Sequence, residues 1–430
     1  MITGKGVGAL LAAFAIFFLA RLTQVGWLYL VDAIFWGALT IGLVMPWVGV
    51  VFISARRGVF TKGSQKSGGP LSEGDLVRIT VSLQNRLFYP RFFHSVMYDS
   101  PIAGPAGAEQ RFFVAHLPGS GSLPLESTVE AYQRGLHQLG PLKLESSVPF
   151  GFFRKRRSIS GPQPLLVLPR VYPLKRMILV DGLDGYSASA RASRNAMDQA
   201  GSRPYVHGDS RRMVHWRNTA RAGRLMVKET EDQTNRTLHI MFDSGDPWGY
   251  GRESNFEYAI KLVVSVADYA LKNMVPVRLW GSNLRGSNFA APGSVSDFKG
   301  VTLAWPDLLN LLAVAQPTGR AAMGEGLANL PTGANLFVVV AADDWPSHQN
   351  LDRALARSGE AVVVRLEGFG EPQSAEDPAM SLGQAGASLL TCNPGGLEQT
   401  LTDIENLGRS NDHEAYESLA GTRTAEAGRI

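Results

Sequence analysis

Two uncharged apolar runs near the start constrain this chain more than anything that follows them. Residues 6–20, GVGALLAAFAIFFLA, carry no charge, and Arg21 comes next. Residues 33–55, AIFWGALTIGLVMPWVGVVFISA, are also uncharged and amount to about 35 Å of helix at ~1.5 Å per residue. A bilayer core needs about 20 apolar residues, so the second run spans it, and the first does so if its helix outruns its uncharged centre. Trp27 and Tyr29 suit a membrane interface between them. A cleaved signal peptide would want small residues before the cut, where Phe18 stands, and a second apolar run follows at once. A membrane hairpin over residues 1–60 is therefore expected. Lys5 precedes it, Arg56, Arg57, Lys62 and Lys66 follow it, and only Arg21 and Asp32 lie between the runs. The excess of cations on the flanks predicts a two-pass protein of the inner (plasma) membrane, with both ends and the soluble body cytoplasmic.

The chain has 430 residues, room for two or three domains of roughly 100–200 residues each. A net charge of +4 is too small to imply nucleic acid. Cys392, the sole cysteine, excludes a disulfide framework and a cysteine zinc cluster.

Residues 63–70, GSQKSGGP, read as a flexible linker. In LVRITVSLQN, Val77, Ile79, Val81 and Leu83 alternate with polar residues, the period of a strand with one wet face. STVEAYQ and LHQLGPLKLESS repeat the style, so a small antiparallel β-sandwich is expected over residues 71–175. The run Arg154–Arg157 reads as a solvated strand end near the membrane, where attraction to anionic lipid would orient the domain. Residues 181–202 read as a long loop. From residue 236 strands and helices alternate: RTLHIMFD, NFEYAIKLVVSVADYALKN, VPVRLWG, PDLLNLLAVA, NLFVVVA, NLDRALARSG and AVVVRLEG. That pattern predicts a doubly wound α/β domain over residues 236–407, followed by a disordered tail, 408–430.

Between the two domains, residues 176–235 contain YVHGDSRRMVHWRNTARAGRLMVKETE. Asp209 is placed to cap a helix, and Met213, Trp216 and Ala220 share a face that would pack inward. Gly223 stands where a helix stops, and Leu225 and Val227 open a strand. Other chemistries compete for the same residues. His207, Asp209 and His215 match no standard metal spacing. GDS at 208–210 resembles the start of a serine-esterase block, but Arg211 follows it rather than an apolar residue, and no partner aspartate and histidine are evident near the C-terminus. Seven cations against three acids from Arg203 to Glu231 suggest a nucleic-acid helix through Arg203–Arg224, but Trp216 was assigned to the buried face.

This block resembles the core of the bacterial domain-of-unknown-function family 58. The matches are Arg203, Tyr205, Gly208, Asp209, Arg212, Trp216, Thr219, Ala220, Arg221, Leu225, Val227, Lys228 and Glu229. RGLHQLGPLKLESSVPFGFFRKRR is similar to a second block of the family. The resemblance implies a von Willebrand factor A-like domain after the block, and a partner among MoxR-type AAA+ ATPases. In such a domain an Asp-x-Ser-x-Ser loop holds a hard divalent cation, for which oxygen ligands are suited. Here Asp243, Ser244 and Asp246 remain, while Gly245 and Pro247 replace both serine ligands, so loss of Mg²⁺ is favoured. Asp343 and Asp344 are the residues placed to complete a ring. The expectation is a membrane-anchored, non-enzymatic scaffold without cofactor that contacts lipid and other proteins but not nucleic acid. The rival readings are a nucleic-acid binder and a hydrolase.

Overall fold

Helix α1, Gly4–Thr23, and helix α2, Gly26–Val50, fold as a hairpin whose turn is only Gln24 and Val25. Gln24 sits at φ +56° and donates its N–H to the Ala20 carbonyl, which closes α1 abruptly. The segment holding Trp27, Tyr29 and Asp32, read as a connecting loop, is therefore the first part of α2. The interhelical turn needs only one left-handed residue, so helix propagates through positions that carry no breaker. Both helices are long and apolar enough to cross a membrane. Phe14 and Trp36 pack edge to face between them, 5.4 Å apart.

The structure, a computed structural model, describes residues 1–61, 69–181, 202–205, 214, 216–228, 237–242, 247–281, 301–317, 330–341, 351–370 and 387–407. These form two compact units, divided between Arg170 and Val171. The expected linker at 63–70 and the tail at 408–430 fall largely or wholly outside the described residues.

In the first unit, strand β1, Ile53–Thr61, begins three residues after α2. The end of the second apolar run and Arg56 and Arg57 thus belong to a sheet rather than to a membrane flank. Pairing decides this, since β1 aligns residue for residue with β2, Leu76–Asn85, from Ile53 opposite Asn85 to Thr61 opposite Val77. The strands β3 (Arg91–Asp99), β4 (Glu109–Leu117), β5 (Ser122–Glu130), β6 (Gly135–Leu139), β7 (Leu142–Ser146), β8 (Lys155–Ser160) and β9 (Gln163–Val167) follow. They are all antiparallel, in sheets ordered β1-β2-β5 and β4-β3-β7-β8 with a β6-β9 pair. Val77, Ile79, Val81 and Leu83 are fully buried, as their alternation predicts, against Val96, Tyr98, Leu142 and Leu144 in one core. Each such side chain stabilises the sandwich by about 1.5–3 kcal/mol.

Arg57 lies against the ring of Tyr98, 4.7 Å from its centroid, and donates to the Gly140 carbonyl at 2.7 Å. The basic run 154–157 is similarly committed. Arg154 and Arg156 both pair with Glu145, and Lys155 rests 3.4 Å over the Trp47 ring. Arg157 donates to the Val50 carbonyl at the end of α2, where a cation favours the helix dipole. The hairpin is keyed to the sandwich at its other end too. Thr3 donates to the Gly151 carbonyl, and a Cβ at Gly6 would run into the Phe152 carbonyl oxygen.

The second unit opens with residues 171–181, which strap the outer side of a long helix. The strands β10 (Ser202–Pro204) and β11 (Met226–Lys228) pair antiparallel, with helix α3, Trp216–Ala222, between them. A six-stranded sheet follows, built from β12 (Leu238–Phe242), β13 (Val277–Gly281), β14 (Val301–Thr302), β15 (Asn335–Ala341), β16 (Ala361–Leu366) and β17 (Ala387–Cys392). Its order is β14-β13-β12-β15-β16-β17, parallel except at the β14 edge. The helices are α4 (Asn255–Lys272), α5 (Trp305–Val314), α6 (Leu351–Leu355) and α7 over 397–407. The edge strands β14 and β17 are short or half-buried and carry little period of their own. α7, by contrast, sets Leu397, Leu401 and Ile404 into the core at helical spacing, a signal in the sequence that the expectations above leave unused.

Helix α4 is buried nearly all round rather than on one face. Tyr172 N–H donates to Ser265 Oγ, and Tyr269 Oη donates to Asp181 at 2.7 Å, so the 171–181 strap covers the side turned away from the sheet. The polar groups this encloses are satisfied locally, for instance Lys261 by the Arg252 carbonyl and Asp268 by the exposed Lys272 at 2.6 Å.

Candidate functional site

The motif block folds as a small hairpin with a helix inserted in it. Ser202, Arg203 and Pro204 align with Lys228, Val227 and Met226, and the pairing continues as Tyr205 N–H donates to the Leu225 carbonyl at 2.9 Å. Thr219 locks helix to strand, its hydroxyl accepting from Met226 N–H at 3.0 Å. Gly223 ends α3 at φ +64°, with its N–H on the Thr219 carbonyl, the left-handed stop its position predicts.

Burial runs against the expectation at the tryptophan. Trp216 is 71% exposed, not packed inward, and Ala220 is exposed as well. Val214, just before the helix, takes the buried place at 7%. A seven-residue helix makes barely two turns, and its attachment through Thr219 and the paired strands fixes which side faces in. Arg217, Arg221 and Arg224 are exposed alongside Trp216, and Leu225 is 46% exposed. The hairpin thus displays an aromatic ring among cations on a helix tied to the adjoining strand through Thr219. A ring and guanidinium groups together offer apolar contact, stacking and charge.

Of the other motif positions, Tyr205 is half-buried. Arg203 and Lys228 lie on the paired strands. His207, Gly208, Asp209, Arg212, Met213, His215 and Glu229 lie outside the described residues, so the structure places neither the capping Asp209 nor the proposed hydrolase trio.

The second candidate lies at the sheet. β12 and β15 are parallel neighbours, with Phe242 opposite Val339, and the helices after them run to opposite sides of a strand order that reverses here. Such a switch point is where open α/β sheets bind ligands. Asp243, Ser244 and Asp246 follow β12 directly, and Asp343 and Asp344 follow β15, but all five lie outside the described residues. Among the described residues no three His, Cys, Asp or Glu side chains are grouped to hold a metal.

Two buried polar groups in the same domain escaped the sequence reading. His239, 2% exposed on β12, stacks on Trp280 and accepts its indole N–H at 3.1 Å through Nδ1. Burial, assisted by the Arg278 charge, lowers the His239 pKa to about 4, so the ring is neutral at ordinary pH. Tyr258 donates to Glu253 at 2.7 Å and accepts from Gly395 N–H at 2.8 Å. Burial, then the hydrogen bond to Glu253, pushes its phenol up to about 12. Neither residue sits in a signature, and Trp280 and Gly395 come from distant parts of the chain, so spacing gave no warning. These are structural groups.

Comparison with known proteins adds one assignment. The sequence model of the family described as "Protein of unknown function DUF58" matches residues 201–302, from the hairpin to β14. A search of curated proteins found no match. Among solved structures, an immunoglobulin-like protein from Pseudomonas aeruginosa aligns at 14% identity over 27% of this chain and 95% of that one, with a TM-score of 0.17. A GH20 exo-β-N-acetylglucosaminidase from Vibrio harveyi aligns at 8% identity over 79% and 81%, with a TM-score of 0.20. Scores this low bear on neither fold nor activity here.

Proposed function

Residues 201–302 make this chain a DUF58-family protein, and on that premise we propose that it is a membrane-anchored cytoplasmic scaffold that captures another protein through the exposed side of α3. The observation that carries the reading is Trp216, 71% exposed beside Arg217, Arg221 and Arg224. A large exposed aromatic in a basic setting is the composition of an interface anchor. The partner is proposed to be a MoxR-type AAA+ ATPase, as the family resemblance implies. The doubly wound domain would be von Willebrand A-like with a degenerate metal loop, and the protein would perform no reaction itself.

The test is affinity capture of the full chain from native membranes, with wild type beside Trp216→Ala and Arg221→Glu. An AAA+ ATPase should be recovered with wild type and depleted in both variants. Its absence from wild-type captures, or equal recovery with the variants, rejects the pairing.

One observation favours a second reading. Trp216 was set against nucleic acid by its assigned burial, yet it is exposed, as a base-stacking residue must be. Retardation of single-stranded oligonucleotides that weakens steeply with salt, and fails in Trp216→Ala, would support that alternative over the scaffold.

A further inference from the structure

At the point where α2 meets the sandwich, a pocket of about 240 Å³ is lined by Trp47, Val48, Val51, Phe52, Tyr89 and Arg91. Four of these belong to the end of α2 and the two residues after it. Trp47 and Val48 also form part of the apolar surface that α2 leaves uncovered, 56% and 39% exposed. The pocket therefore continues the side of the helix that would face lipid.

Its polar wall is unusual. The Arg91 side chain is only 7% exposed, and no carboxylate pairs with it among the described residues. Its Nη2 donates to Tyr89 Oη at 3.2 Å, and the guanidinium lies 4.6 Å from the centroid of that ring. Its Nε is buried and has no hydrogen-bond partner. A buried cation is costly unless an anion or a full set of acceptors meets it. Lys155 rests on the Trp47 ring but does not line the pocket, so Arg91 is the cation in its wall. On the rim, Phe52 is held at φ +63° and is 57% exposed. That conformation is costly for a bulky side chain and tends to persist where the surroundings need it. Here it turns the chain from α2 into β1 while leaving the ring on the lipid side.

We propose that this pocket binds one anionic phospholipid, its phosphate on Arg91 and one acyl chain along Trp47, Val48 and Val51. A buried cation beside an apolar trough fits a headgroup that is charged and carries a hydrocarbon tail. Free phosphate would use the arginine and leave the trough empty. A zwitterionic lipid brings its own cation and gains less from the arginine. The assignment rests on the reading of α1 and α2 as membrane helices.

The experiment uses the full chain in detergent, with retained lipid counted by native mass spectrometry after addition of phosphatidylglycerol, phosphatidylcholine or inorganic phosphate. Wild type should retain one phosphatidylglycerol in preference to phosphatidylcholine by about tenfold, the order expected for one charge-assisted contact. Arg91→Gln should lose that preference. Val51→Glu, which sets a carboxylate at a partly exposed wall position, should lose it while melting like wild type, and so keeps the test alive if the arginine variant fails to fold. Equal retention of the two lipids, unchanged retention in Val51→Glu, or displacement of the lipid by inorganic phosphate overturns the site. Flotation of the wild-type chain with neutral phosphatidylcholine vesicles separates the two readings. A chain that floats without lipid preference retains its anchor and loses this site, whereas one that does not float loses the anchor.

Discussion

Tyr258 and His239 show how single buried polar groups fix the α/β unit. The Tyr258 hydroxyl joins the start of α4 to the turn at Gly395, using both its donor and its acceptor capacity. Tyr258→Phe is expected to lower unfolding free energy by about 0.5–1.5 kcal/mol in chemical denaturation, since it removes two hydrogen bonds whose other partners, Glu253 and Gly395, are exposed and turn to water. His239 acts through pH. In the unfolded chain it titrates near its ordinary 6.5, and in the folded one near 4 because burial opposes the charged ring. Between those values the unfolded state binds a proton that the folded state refuses, so stability is full above about pH 6.5 and falls as the medium is acidified toward 4. Denaturation midpoints measured across that window should decline for wild type more steeply than for His239→Gln. The difference between the two proteins isolates this residue from His94, whose pKa burial also lowers. At Trp216 the exposed ring predicts the reverse of a core residue: Trp216→Ala should change stability by no more than about 0.5 kcal/mol while reducing partner capture.

Helix ends carry the next level of organisation. Helix α4 begins at an Ser254 cap whose hydroxyl accepts from Glu257 N–H, and Ser254→Ala should cost about 1 kcal/mol in thermal unfolding. Helix α3 ends on Gly223, whose added Cβ would meet nothing within 4 Å. Gly223→Ala therefore tests backbone strain alone, and a loss of about 1 kcal/mol is expected from forcing an alanine into the left-handed region. The helix, stop and strand of the motif could be read from Gly223 and from the alternation after it, while the expected cap at Asp209 lies outside the described residues. Which side of α3 faces out could not. That side depends on the bond between Thr219 and Met226 and on the pairing with residues 202–204, contacts between segments a helical wheel does not see.

In the first unit, two helices with the length and apolar character of membrane spans are keyed to a sandwich at the 150–157 turn and at the end of α2. If the membrane reading holds, the full chain should stay in the pellet after alkaline carbonate washing, and release into the supernatant would reject it. Sequence alone settled whatever short-range patterning governs. The two apolar runs set the helices, strict alternation set strands such as β2, and the succession of strand and helix after residue 236 set a parallel sheet. Each depends on a local period that water and the backbone enforce at every position. Tertiary structure decided the rest. The second apolar run gives up its end to β1 because a whole row of hydrogen bonds to β2 outweighs its hydropathy. α4 is buried on both sides because a strap far back in the sequence closes over it. Trp216 stands in solvent, and Arg91 lies inside without an acid among the described residues, because burial is settled by which distant segments pack on a given surface, and no residue's own chemistry specifies that.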